Sequence, residues 1–232
     1  MVSEPTPYYS RDGIMIYHGD CRDILPNLLP VGCVVTDPPF FLPVAYHAAK
    51  VIDRSWPRSV GDLAMLDGSF REIFKLIRQV LRDDGQAYFN CDGQSYPVFF
   101  ACSYPLWDVT RPLIWYKPTG RVGTGWIHAH ELILHCANKV TVYAENKGRR
   151  LDIIGIMPVR TLHRQHPAEK PGALIDFVLE AVPPNEAVLD PFCGTGTTLL
   201  AAKKTGRRAI GIEIEEKYCE IAVKRLAQEV LL

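Results

Sequence analysis

None of the seven cysteines (Cys21, Cys33, Cys91, Cys102, Cys136, Cys193 and Cys219) stands in a CxxC or CxxH pair, and their number is odd. That spacing offers no metal site and no disulfide framework, so reduced, mostly buried thiols in a cytoplasmic protein are expected. Charge of one sign is also missing: 26 Lys and Arg face 26 Asp and Glu, a formal net charge of zero. Contact with nucleic acid would therefore have to come from a local patch. The chain has no N-terminal apolar leader and no apolar run near ~18 residues, so neither export nor a membrane span is expected. No internal repeat or low-complexity tract is visible. The 232 residues, 47% of them hydrophobic, suit one globular domain spanning 1–232.

The pattern within that domain alternates strands and helices. Residues 1–10, with Pro5 and Pro7, read as an arm, and Met15–Tyr17 as a strand ending at His18-Gly19-Asp20. A short helix over 21–29 is broken by Pro26 and Pro30, and 32–36 is a nearly all-apolar strand, as buried parallel strands are. Residues 41–67 read as a loop carrying a short helix. Phe70, Ile73, Phe74, Ile77, Val80 and Leu81 repeat at helical spacing, with Asp84-Gly85 as the stop. Strands follow at 86–90, 109–115 and 132–136, with a helix at 97–103. Between the last two strands, Lys117 to Trp126 reads as a Gly-rich loop with two cations, Lys117 and Arg121. Residues 139–165 are irregular and basic. Helices over 172–181, 199–204 and 218–231 enclose strands at 187–189 and 208–214. Such alternation indicates an α/β sheet dominated by parallel strands.

Two stretches carry chemistry. Val188-Leu189-Asp190-Pro191-Phe192-Cys193-Gly194-Thr195-Gly196-Thr197-Thr198 is a strand, a tight turn and a helix start, with backbone N–H groups pointing into the turn. It is half of a dinucleotide fingerprint, because the third glycine is replaced and Asp190 opens the loop. A carboxylate there would repel a pyrophosphate and welcome an ammonium, which points to a nucleoside bearing an amino acid. The second stretch is Asp37-Pro38-Pro39-Phe40 at the end of a strand. Two prolines stiffen the backbone and leave carbonyls without neighbouring N–H donors. Carboxylate, carbonyl and aromatic plane together suit an exocyclic amino group on a planar heterocycle. A plain proline turn with a core phenylalanine would give the same tetrapeptide a purely structural role.

Asp37-Pro38-Pro39-Phe40 resembles the catalytic D-P-P-Y/F tetrapeptide of the amino DNA methyltransferases, and Asp190 to Thr197 resembles their S-adenosylmethionine loop. The catalytic motif comes first, the order of the β class. Gly19-Asp20-Cys21, Trp115-Tyr116-Lys117-Pro118, His166-Pro167-Ala168-Glu169-Lys170-Pro171 and Gly211-Ile212-Glu213 are similar to further motifs of that class in their places. The resemblance covers nearly the whole chain. It implies a Rossmann-like class I methyltransferase fold, a mostly parallel seven-stranded sheet with helices on both faces. It implies S-adenosylmethionine as cofactor and direct transfer to the N6 of a flipped adenine in double-stranded DNA.

By the same resemblance, Glu213 with Ile214 would take the cofactor ribose, and Asp20 with Cys21 would lie near its adenine. Asp190, Pro191, Phe192, Cys193, Gly194, Thr195, Gly196 and Thr197 would hold the methionine part beside Asp37, and Lys170 would approach its carboxylate. Asp20 could equally be a helix N-cap, and Lys170 a solvated lysine at a helix start. Cys33 and Cys193 read as packing residues, neither lying in a Pro-Cys context like that of the C5-cytosine enzymes. No covalent intermediate and no metal are expected.

Phe40 stands where tyrosine is more usual. Larger relatives carry a distinct target-recognition domain; here residues 139–165 are the candidate insert, and Lys117, Arg121, Arg149, Arg150 and Arg164 the candidate DNA contacts. So small a surface favours a short site, loose specificity, or a homodimer sharing the duplex, in a bacterial, archaeal or phage setting that includes restriction-modification. N4-cytosine methylation uses the same fold and chemistry, although serine is more frequent at the position of Asp37 in those enzymes. The motifs are also compatible with methylation of RNA or of a protein amide, and with a silent DNA-binding subunit.

Overall fold

The run Val31–Thr36 is buried at every position, as a strand covered on both faces must be, and as β3 it lies in the middle of the sheet. The structure, a computed structural model, describes residues 5–39, 60–121, 125, 127–138, 150–159 and 170–228, without the side chains of 60–67 and 119–121. Nine strands occur among them. They are β1 (Tyr9–Arg11), β2 (Ile14–His18), β3, β4 (Leu81–Cys91), β5 (Val109–Arg121), β6 (His128–Ala137), β7 (Ile153–Gly155), β8 (Val188–Asp190) and β9 (Ala209–Glu213). They form one sheet ordered β1-β2-β9-β8-β3-β4-β6-β5-β7. From β2 to β4 every pairing is parallel, while β6 runs antiparallel to both β4 and β5.

Side chains of β3 alternate between two cores, as the period of a strand requires. Val34 joins the core under α1 (Cys21–Ile24), α2 (Val60–Val80) and α3 (Ser95–Ser103), which includes Ile24, Phe74, Ile77 and Phe99. Cys33 and Val35 join the opposite core, under α4 (Gly172–Leu179), α5 (Thr197–Lys204) and α6 (Glu216–Ala227). Helices therefore cover both faces. All seven cysteines are free and buried. No helix among the described residues is long and apolar enough to cross a membrane.

Several boundaries differ from the sequence reading. The expected seven strands are joined by two three-residue edge strands: β1, which overlaps the end of the supposed arm and is antiparallel to β2, and β7, inside 139–165 and parallel to β5. Helix α2 begins at Val60, within the stretch read as a loop, and gives way to β4 at Leu81. Asp84-Gly85 thus lies inside a strand. The glycine serves a close approach there, since a Cβ on Gly85 would come 2.9 Å from the Gly32 carbonyl oxygen, where β3 shifts register against β4. Strand β5 continues through Arg121, so Lys117 is a strand residue and the loop to β6 is shorter than expected. The remainder of 41–59 and of 139–165 outside 150–159 lies outside the described residues.

Candidate active site

The helix that follows β3, α2, packs in one core and the helix that follows β8, α5, in the other, and ligands bind at such a switch point beyond the carboxyl ends of the strands. Three carboxylates meet there: Asp37 after β3, Asp190 ending β8 and Glu213 ending β9. Thr36 ties two of these strand ends together. Its hydroxyl donates to Asp190 Oδ1 over 2.7 Å, and its carbonyl accepts from Asn90 Nδ2 at 3.1 Å.

Asp190 is buried and also accepts the Phe192 backbone N–H at 3.1 Å. Burial pushes its carboxyl up to about 6, against the hydrogen bonds from Thr36, Thr198 and Phe192. The loop beyond it is built on two left-handed glycines, Gly194 (φ +49°) and Gly196 (φ +80°), a conformation that only glycine adopts at little cost. Gly196 starts α5 and lies against α6, where an added Cβ would meet that of Ala222 at 3.0 Å. Arg225 of α6 donates to the carbonyl and hydroxyl oxygens of Thr195, both at 2.8 Å. The Gly194 N–H donates to Glu213 Oε2 and the Glu215 N–H to Oε1. Burial raises the Glu213 carboxyl in spite of those backbone donors.

Phe192 is the shared wall of two hollows, of about 510 and 660 Å3 counted out to open solvent. The first is lined by Asp37, Asn90, Lys170 and Asp190, and by the loop residues Cys193, Gly194, Thr195 and Thr197. The second is lined by Asp20, Cys21, Pro39, Pro191, Glu213 and Ile214. Asp20 also caps α1 through the Arg22 N–H and pairs with the Arg22 guanidinium, which holds its carboxyl below the usual range. The N-cap reading of Asp20 is thus seen directly, and its place in the wall of the second hollow leaves it open to a ligand. A nucleoside carrying an ammonium and a sulfonium fits this acceptor-rich, largely anionic wall. A diphosphate would meet three carboxylates.

Lys170 is buried, not a solvated lysine at a helix start. Its ammonium donates to both oxygens of Asp37, at 2.8 and 2.7 Å, and lies 3.6 Å from Glu131 Oε2 on β6. It lines the first hollow, buried and held by the Asp37 carboxylate. Lys117, expected to contact DNA, donates to Glu131 Oε1 and lies over the Trp115 ring. Burial pushes the Asp37 carboxyl up and the Lys170 ammonium pulls it back, with a net rise. For Glu131, burial is outweighed by Lys170 and Lys117, and the carboxyl falls.

Arg150, the other described candidate for DNA, is turned onto α4. It donates to the Phe177 carbonyl at 2.6 Å, pairs with Glu180 and stacks over the Phe177 ring. Arg121 is placed by its backbone alone, opposite His128. Pro38 is buried directly behind Asp37. Phe40, Arg149 and Arg164 lie outside the described residues. Sequence reasoning missed Thr36, Asn90, Glu131 and Arg225. Asn90 carried a usable signal, a polar residue closing an apolar strand just before Cys91-Asp92.

A family model described as DNA methylase, for N6 and N4 amino methyltransferases, matches residues 31–224. The Type II methyltransferase M2.DpnII of Streptococcus pneumoniae is 26% identical over 249 residues, covering 96% of this chain and 93% of that protein. M.HinfI of Haemophilus influenzae, another Type II methyltransferase, is 28% identical, covering 92% of this chain and 68% of its own length. The crystal structure of an M1.HpyAVI–SAM complex matches with a TM-score of 0.70 at 24% identity, over 92% of this chain and 99% of that one. The cytosine-N4-specific PvuII DNA methyltransferase matches with 0.77 at 16% identity, over 97% and 90%. At those identities the two structures speak for the fold.

Proposed function

This chain belongs to the N6/N4 DNA methylase family, whose methyl donor is S-adenosylmethionine, and on that premise we propose that it methylates the exocyclic N6 of an adenine turned out of duplex DNA. The observation that carries the reading is the position of Asp37. Its carboxylate, followed by two prolines, shares one hollow with Asp190 and the Gly/Thr loop. Aspartate rather than serine at this position supports adenine over cytosine.

When bound, S-adenosylmethionine supplies an electrophilic methyl group on its sulfonium. The chain's own residues then have two tasks, holding the donor and presenting the amine. Asp190 would attract the donor's ammonium and Glu213 would accept from its ribose hydroxyls, with Phe192 lining both hollows. The Asp37 carboxylate accepts one N6–H and the Pro38 carbonyl the other. Those bonds favour a pyramidal nitrogen whose lone pair is no longer delocalised into the ring. Phe40 supplies the aromatic partner for the displaced base, whose extrusion costs roughly a few kcal/mol. As the N6–C bond forms and the donor's S–C bond breaks, N6 sheds one proton by way of the Asp37 carboxylate to water. Alignment and charge complementarity account for the acceleration, with no covalent intermediate. The buried Cys193 thiol, raised well above its ordinary value by desolvation, is unsuited to act as a nucleophile.

Mass spectrometry of nucleosides from duplex DNA incubated with the protein and labelled donor tests the assignment. N6-methyladenine is expected from the wild type and none from Asp37→Ala. N4-methylcytosine without N6-methyladenine would overturn the adenine assignment.

A further inference from the structure

Four alternating charges run inward from β5: Lys117, Glu131, Lys170 and Asp37. Lys170, 7% exposed, stands between two carboxylates at unequal distances, 2.7 Å from Asp37 Oδ2 and 3.6 Å from Glu131 Oε2. Glu131 Oε1 already accepts from Lys117. Its Oε2 is buried and stands just short of a hydrogen bond, 3.6 Å from the Lys170 ammonium. An acceptor oxygen kept from water with its donor out of reach is a costly arrangement. It is relieved if Lys170 moves about 1 Å, to ordinary hydrogen-bond distance.

We propose that Lys170 is a two-seat clamp, capping Asp37 while no amine is present and shifting onto Glu131 Oε2 when the acceptor amine arrives, with Glu131 and Lys117 as its positioning residues. In the first seat the ammonium occupies both Asp37 oxygens and keeps the part-buried carboxylate charged. An incoming N6–H needs one of those oxygens as its acceptor. The second seat frees it without stranding the ammonium, because Glu131 supplies the compensating charge. Lys117, anchored over Trp115 at 4.5 Å, holds Glu131 in place and limits how strongly it draws Lys170 away. The inference rests on the reading of Asp37 as the amine acceptor.

The charged and titratable groups facing Asp37 are Lys170, Glu131 and Lys117, with Asp190 across the hollow and the Cys91 thiol on β4. Changing the outer two gives opposite signs. Glu131→Gln removes a negative charge that raises the Asp37 carboxyl and abolishes the second seat. Asp37 then stays ionised to lower pH but remains capped. Lys117→Met removes a positive charge and leaves Glu131 free to draw Lys170 off, so Asp37 protonates at higher pH.

The experiment measures methyl transfer to duplex DNA against pH for the wild type and both variants, together with S-adenosylmethionine affinity. For Glu131→Gln, the acid limb is expected to move down by roughly half a pH unit or more. Its plateau rate should fall roughly tenfold, with cofactor affinity retained. For Lys117→Met, the acid limb is expected to move up by a similar amount. Limbs that move in the same direction, or not at all, overturn the clamp. So does loss of cofactor binding in Glu131→Gln, which would make that residue a support of the fold. Asp37→Ala, assayed alongside, separates the two ideas: if it still methylates, the reading of Asp37 falls. If it is inactive while the limbs fail to diverge, only the clamp falls.

Discussion

The Gly194 backbone N–H donates to Glu213 Oε2 over 2.9 Å, so the cofactor loop and the end of the next strand are spaced by a hydrogen bond within the chain itself. Glu215 completes the arrangement from the other side, donating its N–H to Oε1 at 2.8 Å. Each oxygen keeps further acceptor capacity, and Glu213 lines the second hollow. Under the proposed function, one side chain would both space the loop and receive the ribose.

Glu213→Ala is expected to weaken S-adenosylmethionine binding at least roughly tenfold, since a charged acceptor for the ribose is lost along with the loop spacing. Two part-buried backbone donors lose their partner at about 1–3 kcal/mol each, so the melting temperature should fall by several degrees. Glu213→Gln keeps one acceptor oxygen and should fall between. Calorimetric titration and thermal unfolding check this; tight cofactor binding by Glu213→Ala would move the ribose seat elsewhere.

Asp190 predicts a pH dependence. Its carboxyl is raised from 3.8 to about 6 by burial, so the folded chain binds that proton more tightly than the unfolded chain does. The resulting stability is fully present below the unfolded value and is lost as pH rises through about 6. A shift of this size corresponds to about 3 kcal/mol at most. Unfolding of the cofactor-free protein should therefore show a component of stability that declines between pH 4 and roughly pH 6–7. Asp190→Asn should lack that component and be the more stable of the two at pH 8, while binding S-adenosylmethionine more weakly. A variant with the wild-type pH dependence would assign the effect to the other raised carboxyls, Asp37 and Glu213.

Much of this site is local in the chain and was legible there. Asp190 with Gly194 and Gly196, and Asp37 with its prolines, declare themselves through turn chemistry at strand ends, which a few neighbouring residues determine. The bond of Lys170 to Asp37 was not legible, because it spans 133 positions. Glu131, an acid at the start of an apolar strand, looks like any edge residue until β6 inserts between β4 and β5. Asp84-Gly85 reads as a helix stop by local rules, yet the glycine answers to the backbone of Gly32. Arg150 belongs to a basic run in the sequence and to α4 in space. Charge density along a chain does not determine which way a side chain turns.

Gly196→Ala tests the loop's geometry apart from its polar groups. An alanine at φ +80° costs about 1–2 kcal/mol from backbone strain alone. Its Cβ would also press on Ala222 at 3.0 Å, displacing α6 by a few tenths of an ångström unless the loop yields first. Because α6 holds Thr195 through Arg225, both routes distort the first hollow. A melting temperature lower by several degrees and weaker S-adenosylmethionine binding are expected together. Unchanged affinity would show that the loop adapts without losing its function.

Arg150→Ala separates a structural arginine from a DNA contact. The guanidinium links the chain before β7 to α4 through the Phe177 carbonyl, the Phe177 ring and Glu180. Glu180 is largely exposed, so the ion pair itself adds little, and most of the loss should come from the carbonyl bond and the stacking. A decrease of about 1–2 kcal/mol in stability is expected. An arginine on a phosphate would behave otherwise, because its removal lowers the salt slope of DNA binding by about one. With Arg150 engaged on α4, the slope of log affinity against log salt should match the wild type while the melting temperature falls. A reduced slope with unchanged melting temperature would return Arg150 to the DNA interface and imply that it leaves α4 when the duplex binds.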